Sequence, residues 1–439
     1  MTKKTRDWLF RLFAFLFVVI TIILSLYATG YRFNLSWPLR FDHVLLKTGT
    51  LALDTNPKGA NVTISSETKI SSVFSLFGPT EQVTPIKIKN LLPGDYVVSF
   101  TLENYWPYQK KLKVNPEQTT FLEDVILFRK SLPLNIFSAG NQNISYSPTG
   151  HYAWLSNDKA TINLDTEQTS KTTVNSNINW LDDGKQISDG SKIINLDNGA
   201  TTDYTNIIGA VQESQLSGNL LVYLTKNSLS ALDTNTKATT LIPTTGEVLT
   251  YKVSGNTLFI VTNDKNKTEI KNFDLKNKKL ISSTDLLNSN NFSFNADSSN
   301  LILSDNEHKI AYLLVTGNSS PIIKDIIRGA SVFKWLDNNK LAYASESEIY
   351  IYDLSQTKSY LITRLSEKVN SLAWSSSNYL IYSTAKEIST INLTNDGNDI
   401  TVLWQGDNIS SLYLNKKTDV LYFSGSIGQQ SGLYKMTLK

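Results

Sequence analysis

The chain has no cysteine, and only two methionines and three histidines among its 439 residues. Without cysteine there is no disulfide, no thiol nucleophile, no thiolate-ligated zinc or iron–sulfur cluster and no lipid-modified cysteine. The compartment must therefore be read from something other than redox chemistry. His43, His151 and His308 are far apart in sequence. Neither H-x-x-E-H nor H-E-x-x-H occurs, so no metal is expected. An excess of charge is missing too: 42 basic residues face 39 acidic ones, for a net charge of +3. That leaves no electrostatic footprint for nucleic acid. Charged residues are only 18%, and the polarity comes from Asn, Ser and Thr, as in Asn288–Asn291 and Ser375–Asn378.

Catalytic signatures are also lacking. There is no P-loop and no G-x-G-x-x-G, so no cofactor is expected. The nearest approach to a nucleophile elbow, Ser424-Gly425-Ser426-Ile427-Gly428, lacks its leading glycine. No catalytic residue is assigned from motif.

Long apolar runs are absent except at the N-terminus. Leu12–Ala28 carries no charge over 17 residues, about 25 Å of helix and near the short limit for a bilayer span. Trp8–Phe10 can lengthen it if Arg11 snorkels. Trp8, Tyr27 and Tyr31 stand where an aromatic belt would be. Lys3, Lys4, Arg6 and Arg11 precede the run, while Arg32, Arg40 and Lys47 follow it. The bias favours a cytoplasmic N-terminus and an extracytoplasmic bulk. A cleaved signal peptide has the same order of regions, but the run is longer than usual and Leu26-Tyr27-Ala28 is a poor cleavage site. We expect a single-pass plasma-membrane protein: residues 1–11 cytoplasmic, 12–29 transmembrane, 30–47 a connector.

From Thr48 the pattern is short strands between turns. Asn56-Pro57-Lys58-Gly59 and Leu92-Pro93-Gly94-Asp95 are turn sequences. Ile86/Ile88 alternate with Lys87/Lys89, and Lys110–Val114 and Thr119–Phe128 read as further strands. Ile70–Phe77 is ambiguous, within a longer insert at Ser66–Val83. Asn56-Pro57-Lys58-Gly59-Ala60-Asn61-Val62, Thr84-Pro85, Leu92-Pro93-Gly94-Asp95-Tyr96 and Tyr105 together resemble a PEGA domain. The resemblance implies a small β-sandwich of bacterial and archaeal surface proteins over residues 48–129, used for surface binding or scaffolding. Two positions depart from the family: Lys58 replaces a Glu, and Asn104 stands where Gly is frequent.

Residues 130–439 repeat with a period near 40, as propeller blades do. Tyr146, Trp180, Leu216, Val253, Phe294, Trp335, Trp374 and Leu414 anchor successive units at steps of 34 to 41 residues. About eight residues after most anchors comes an apolar strand. A second marker is an apolar residue followed by Asp: Leu164-Asp165, Leu196-Asp197, Leu232-Asp233, Phe273-Asp274 and Tyr352-Asp353, with Ile391-Asn392 as a variant. These acidic residues read as turn formers, since none forms a D-x-D-x-D-G calcium loop. A four-stranded sheet cannot cover both its faces alone, so the units are expected to stack radially. Eight units favour an eight-bladed ring, with seven as the fallback. The last unit has three strands, and Ser131–Phe137 can supply its fourth. The anchors with their Ser-Pro or Asp-rich turns resemble TolB and WD40-like propeller repeats, which implies a fold and little about function.

The expected architecture is all-β beyond the anchor. Asp182, Asp183, Asp297 and Asp337 fall at equivalent turns, where acidic residues usually form turns rather than pair for glycoside hydrolysis. Tyr105, Trp106 and Tyr108 read as an exposed aromatic loop and form the candidate binding surface, for a sugar ring or a partner. The chain is thus expected to be a non-enzymatic envelope protein that binds protein or polysaccharide. The alternatives are a propeller-type polysaccharide-active enzyme with paired carboxylates, or a sensor or transport accessory.

Overall fold

The computed structural model describes residues 3–33, 45–66, 82–138, 140, 144–172, 174, 178–181, 183–226, 228–295, 300–315, 322–394 and 399–439. Trp37-Pro38 and His43 of the connector, Ile70–Phe77, Asp182 and Asp297 lie outside these residues. Contacts divide the chain into two compact units, essentially residues up to Ser131 and those from Leu132 onward.

The chain begins with the helix Lys3–Ala28, 26 residues long and so about 39 Å. It runs well beyond the charge-free stretch and includes all four basic residues that precede it. None of its side chains is buried. Thr29 ends it by turning its hydroxyl back to the Ser25 carbonyl at 2.9 Å, and Gly30 follows with φ +87°. The stretch expected as an irregular connector instead contains a short pairing, Tyr31–Phe33 against Leu45–Lys47. Three-residue strands are too short to show a period, so their sequences carried no sign of it.

Two sheets form the small domain. Ile86–Leu91, Gly49–Asn56 and Thr119–Ile126 make one, with the last two strands parallel. Gln82–Val83, Asn61–Ser66, Gly94–Thr101 and Tyr108–Val114 make the other. Leu51, Leu53, Val98, Phe100, Leu112 and Val125 fill the space between them. Asn56-Pro57 and Thr84-Pro85 meet through buried threonines: Thr55 and Thr84 share a 2.6 Å hydroxyl contact, and Thr84 Oγ1 accepts the Ala60 N–H. Asn104 has φ +64°. That left-handed backbone is the one asparagine tolerates best after glycine.

The larger unit is a β-propeller, in which the described residues form eight four-stranded sheets. Seven are built from consecutive strands. The eighth joins Asp407–Leu414, Val420–Ile427 and Gln430–Thr437 to Leu134–Ser138 from the start of the unit. The ring is thus closed by pairing its two chain ends. Strand periodicity explains the stacking: Leu301 and Leu303 pack on Phe259 and Val261 of the fourth sheet, while Ile302 packs on Phe333 and Trp335 of the sixth. Adjacent residues thus serve opposite neighbours. The same arrangement joins the first sheet to the last, where Ala153, Leu155 and Ile162 meet Tyr422 and Leu433. Fully burying one such side chain stabilises the fold by about 1.5–3 kcal/mol.

All eight anchors lie on innermost strands, and several bond backwards to the preceding sheet. Trp180 Nε1 donates to Ser145 Oγ at 2.8 Å, and Trp374 Nε1 to the Lys334 carbonyl at 2.9 Å. Tyr146 Oη donates to the Ser411 carbonyl at 3.0 Å, which places the eighth sheet before the first.

The turn marker needs a correction in phase. Asp233, Asp274 and Asp353 each accept two backbone N–H groups two and three residues on. In the first two sheets that acceptor is Asn163 or Asn195, not Asp165 or Asp197. The shared element is Asn or Asp followed by the turn, and Asn392 belongs to it.

Candidate functional site

A cavity of about 720 Å³ opens inside the propeller unit. Its wall is built by the inner ends of the first three sheets, with Leu249 from the fourth. Ser145, Asn179 and Glu213 come from innermost strands, and Ser188 from the middle strand of the second sheet. In the third sheet Glu213-Ser214-Gln215 stands where the sixth has Val332-Phe333-Lys334.

Glu213 is the carboxylate of this wall. Its Oε1 accepts from Gln215 Nε2 at 3.0 Å and from Asn179 Nδ2 at 3.4 Å. Gln215 is itself buried and fixed by the fourth sheet, accepting the Val253 N–H and donating to the Tyr251 carbonyl. Asn179 also donates to the Ser214 carbonyl. Trp154 lines the cavity but is only 2% exposed, and its indole N–H has no hydrogen-bond partner among the described residues.

The aromatic loop of the small domain is less open than its sequence suggested. Tyr108 belongs to the core, 6% exposed and stacked on Phe100 at 6.2 Å. The reason is visible in Tyr108–Val114, where every second residue is buried. Tyr105 packs against the same core. Trp106 is half-buried, with the Lys130 ammonium 5.2 Å above its ring.

Asp183 and Asp337 each accept two backbone N–H groups of their own turn, as turn formers do. His151 pairs with Asp165 at 2.6 Å and His308 with Asp305 at 2.7 Å. Asp305 is pulled upward by burial, yet its carboxyl lies below the ordinary range because His308 and nearby donors outweigh that burial. Ser424 and Ser426 lie on a middle strand, bonded to Ser410 and Ser431. Among the described residues no three His, Asp or Glu side chains group as metal ligands do.

The sequence pattern of the PEGA domain family matches residues 48–126. No curated protein matches the sequence. Among solved structures, the chain is similar to the C-terminal WD40 domain of Sif2, at 10% identity and a TM-score of 0.45, covering 70% of this chain and 99% of that one. It is also similar to the β-propeller domain of Cps50 (Swd1) from Myceliophteria thermophila, at 10% identity and a TM-score of 0.40, covering 70% and 100%. A third is dipeptidyl peptidase 4 of Porphyromonas gingivalis, at 12% identity and a TM-score of 0.46, covering 66% of this chain and 56% of that one.

Proposed function

We propose that this chain is a membrane-anchored, non-catalytic interaction protein of a bacterial cell envelope, displaying a PEGA domain and a propeller outside the plasma membrane. The observation that carries the anchor is the bare helix Lys3–Ala28: none of its side chains is buried, and Phe13, Phe15 and Phe17 are 63–70% exposed. Water would not support such a surface, whereas a bilayer would. Four basic residues on its N-terminal side favour a cytoplasmic start. The two β-units beyond it fit a protein-interaction role.

The paired-carboxylate glycosidase that the sequence left as the alternative needs two facing carboxylates. Among the described residues the cavity wall supplies Glu213 alone, so the binding role is preferred.

The test is fractionation with crosslinking in cells that make the full chain. The protein is expected to stay in the membrane pellet through high salt, and photo-crosslinkers on the propeller are expected to capture envelope partners. Release by salt, or a mature N-terminus near Thr29, would contradict the anchor. A propeller-deleted chain that still co-purifies with every partner the propeller crosslinks would contradict the interaction role.

A further inference from the structure

Glu213 is the one charged side chain among the described residues of the propeller cavity wall. Its Oε1 is taken by the Gln215 and Asn179 amides, while Oε2 has no hydrogen bond among the described residues. Two nearby hydroxyls are also committed in a telling direction. Ser188 donates its proton to the Ser214 carbonyl at 2.8 Å, and Ser214 donates to the Gly190 carbonyl. Each therefore has lone pairs and no proton left to offer. Beside Glu213 the wall thus offers two hydroxyl acceptors and, among the described residues, no cation.

Glu213 is partly buried, and a negative side chain with no cation beside it among the described residues attracts an incoming positive one. A sugar is a poorer match. Sugar rings commonly stack on an aromatic face, and Trp154, the aromatic residue of the wall, is almost fully covered. The cavity is also larger than a single side chain requires, within the roughly 300–1,000 Å³ typical of ligand sites. We infer that this cavity receives a lysine or arginine side chain presented by an extended segment of a partner polypeptide. This rests on the propeller being the interaction module, and it names the chemistry that module selects.

The experiment uses the full chain in detergent micelles and bead-bound heptapeptides, random except for a central Lys, Arg, norleucine or Glu. Lys and Arg beads are expected to retain the protein at least about tenfold better than norleucine beads, and Glu213→Gln to remove that preference. Glu307→Gln, an exposed carboxylate on the fifth sheet, should keep it. Equal retention on norleucine beads, or a cation preference surviving in Glu213→Gln, overturns the assignment. So does cadaverine binding with no retention on any bead, since the site would then take a free amine. Should Glu213→Gln fail to fold, the wild type decides: its bead preference must fall as salt rises. If the wild type makes its envelope crosslinks but shows no preference for Lys or Arg beads, the cavity assignment fails and the interaction role stands.

Discussion

Gly432 is where closure of the propeller is most sharply exposed to test. It lies opposite Ser138 in the ladder between Gln430–Thr437 and Leu134–Ser138. A Cβ on it would meet the Phe137 carbonyl oxygen at 2.0 Å and Asn135 Nδ2 at 2.9 Å. No methyl group fits at that distance from backbone, so Gly432→Ala must displace something. If the closing strand stays, the sheet carries overpacking strain of about 1–3 kcal/mol. If it detaches, Ile136 and Phe137 leave the cluster they partly share with Leu155 and Tyr422. Half-burial of two such side chains is worth about 2–3 kcal/mol. Either route destabilises the unit by about 1–3 kcal/mol, a fall of about 2–5 °C in Tm for a unit of this size. Near-UV circular dichroism of the full chain reads the melt, and limited proteolysis within residues 132–140 separates detachment from strain. Gly140→Ala is the control, because nothing lies within 4 Å of its added Cβ. A Gly432→Ala protein that melts within about 1 °C of wild type, with unchanged protease resistance, refutes the reasoning.

Tyr146→Phe keeps the stack on Tyr413, with ring centroids 4.7 Å apart, but loses the bond to the Ser411 carbonyl; denaturant unfolding should show a loss of about 1–2 kcal/mol. Burial pushes the phenols of Tyr152, Tyr382 and Tyr422 up to about 12. Unfolded tyrosines titrate near 10, so this stability is intact below about pH 10 and lost as pH rises toward 12, a slope the triple Phe variant should flatten. Asp233 lies below the ordinary carboxyl range because the Thr236 and Asn235 N–H groups bind its charged form. Its contribution is present above about pH 4 and lost as pH falls through the lowered value; Asp233→Asn, which keeps the acceptor, should lose less stability on acidification in the same melts.

The propeller was legible because its period appears many times over, and each anchor occupies one position on one strand. Its closing strand was legible because the last repeat lacked a fourth strand and Ser131–Phe137 had no other use. Phase at the turns was harder. Asn163-Leu164-Asp165 offers two acceptors two residues apart, and only geometry shows that Asn163 accepts the turn's N–H groups. Tyr108 looked like a loop residue beside Trp106, although the alternation through Lys110, Leu112 and Val114 already marked it as inward. The pairing of Tyr31–Phe33 with Leu45–Lys47 joins two runs with no period of their own. The cavity was the least legible feature. Its wall gathers residues from Ile144 to Leu249 across four sheets, and the one local sign is a polar run, Glu213-Ser214-Gln215, where an apolar strand was due.

The absence of cysteine makes ring closure directly measurable. Leu134 and Lys435 are opposite each other in the closing ladder, so Leu134→Cys with Lys435→Cys places the only two thiols of the chain across that seam. Mild oxidation of the full-length double variant should give one intramolecular disulfide, seen as faster migration on non-reducing gels and as a single linked peptide by mass spectrometry. Thiols that stay reduced, or that link only between molecules, while a Val420→Cys/Thr437→Cys pair within the same sheet oxidises readily, would contradict a propeller closed by its own first strand.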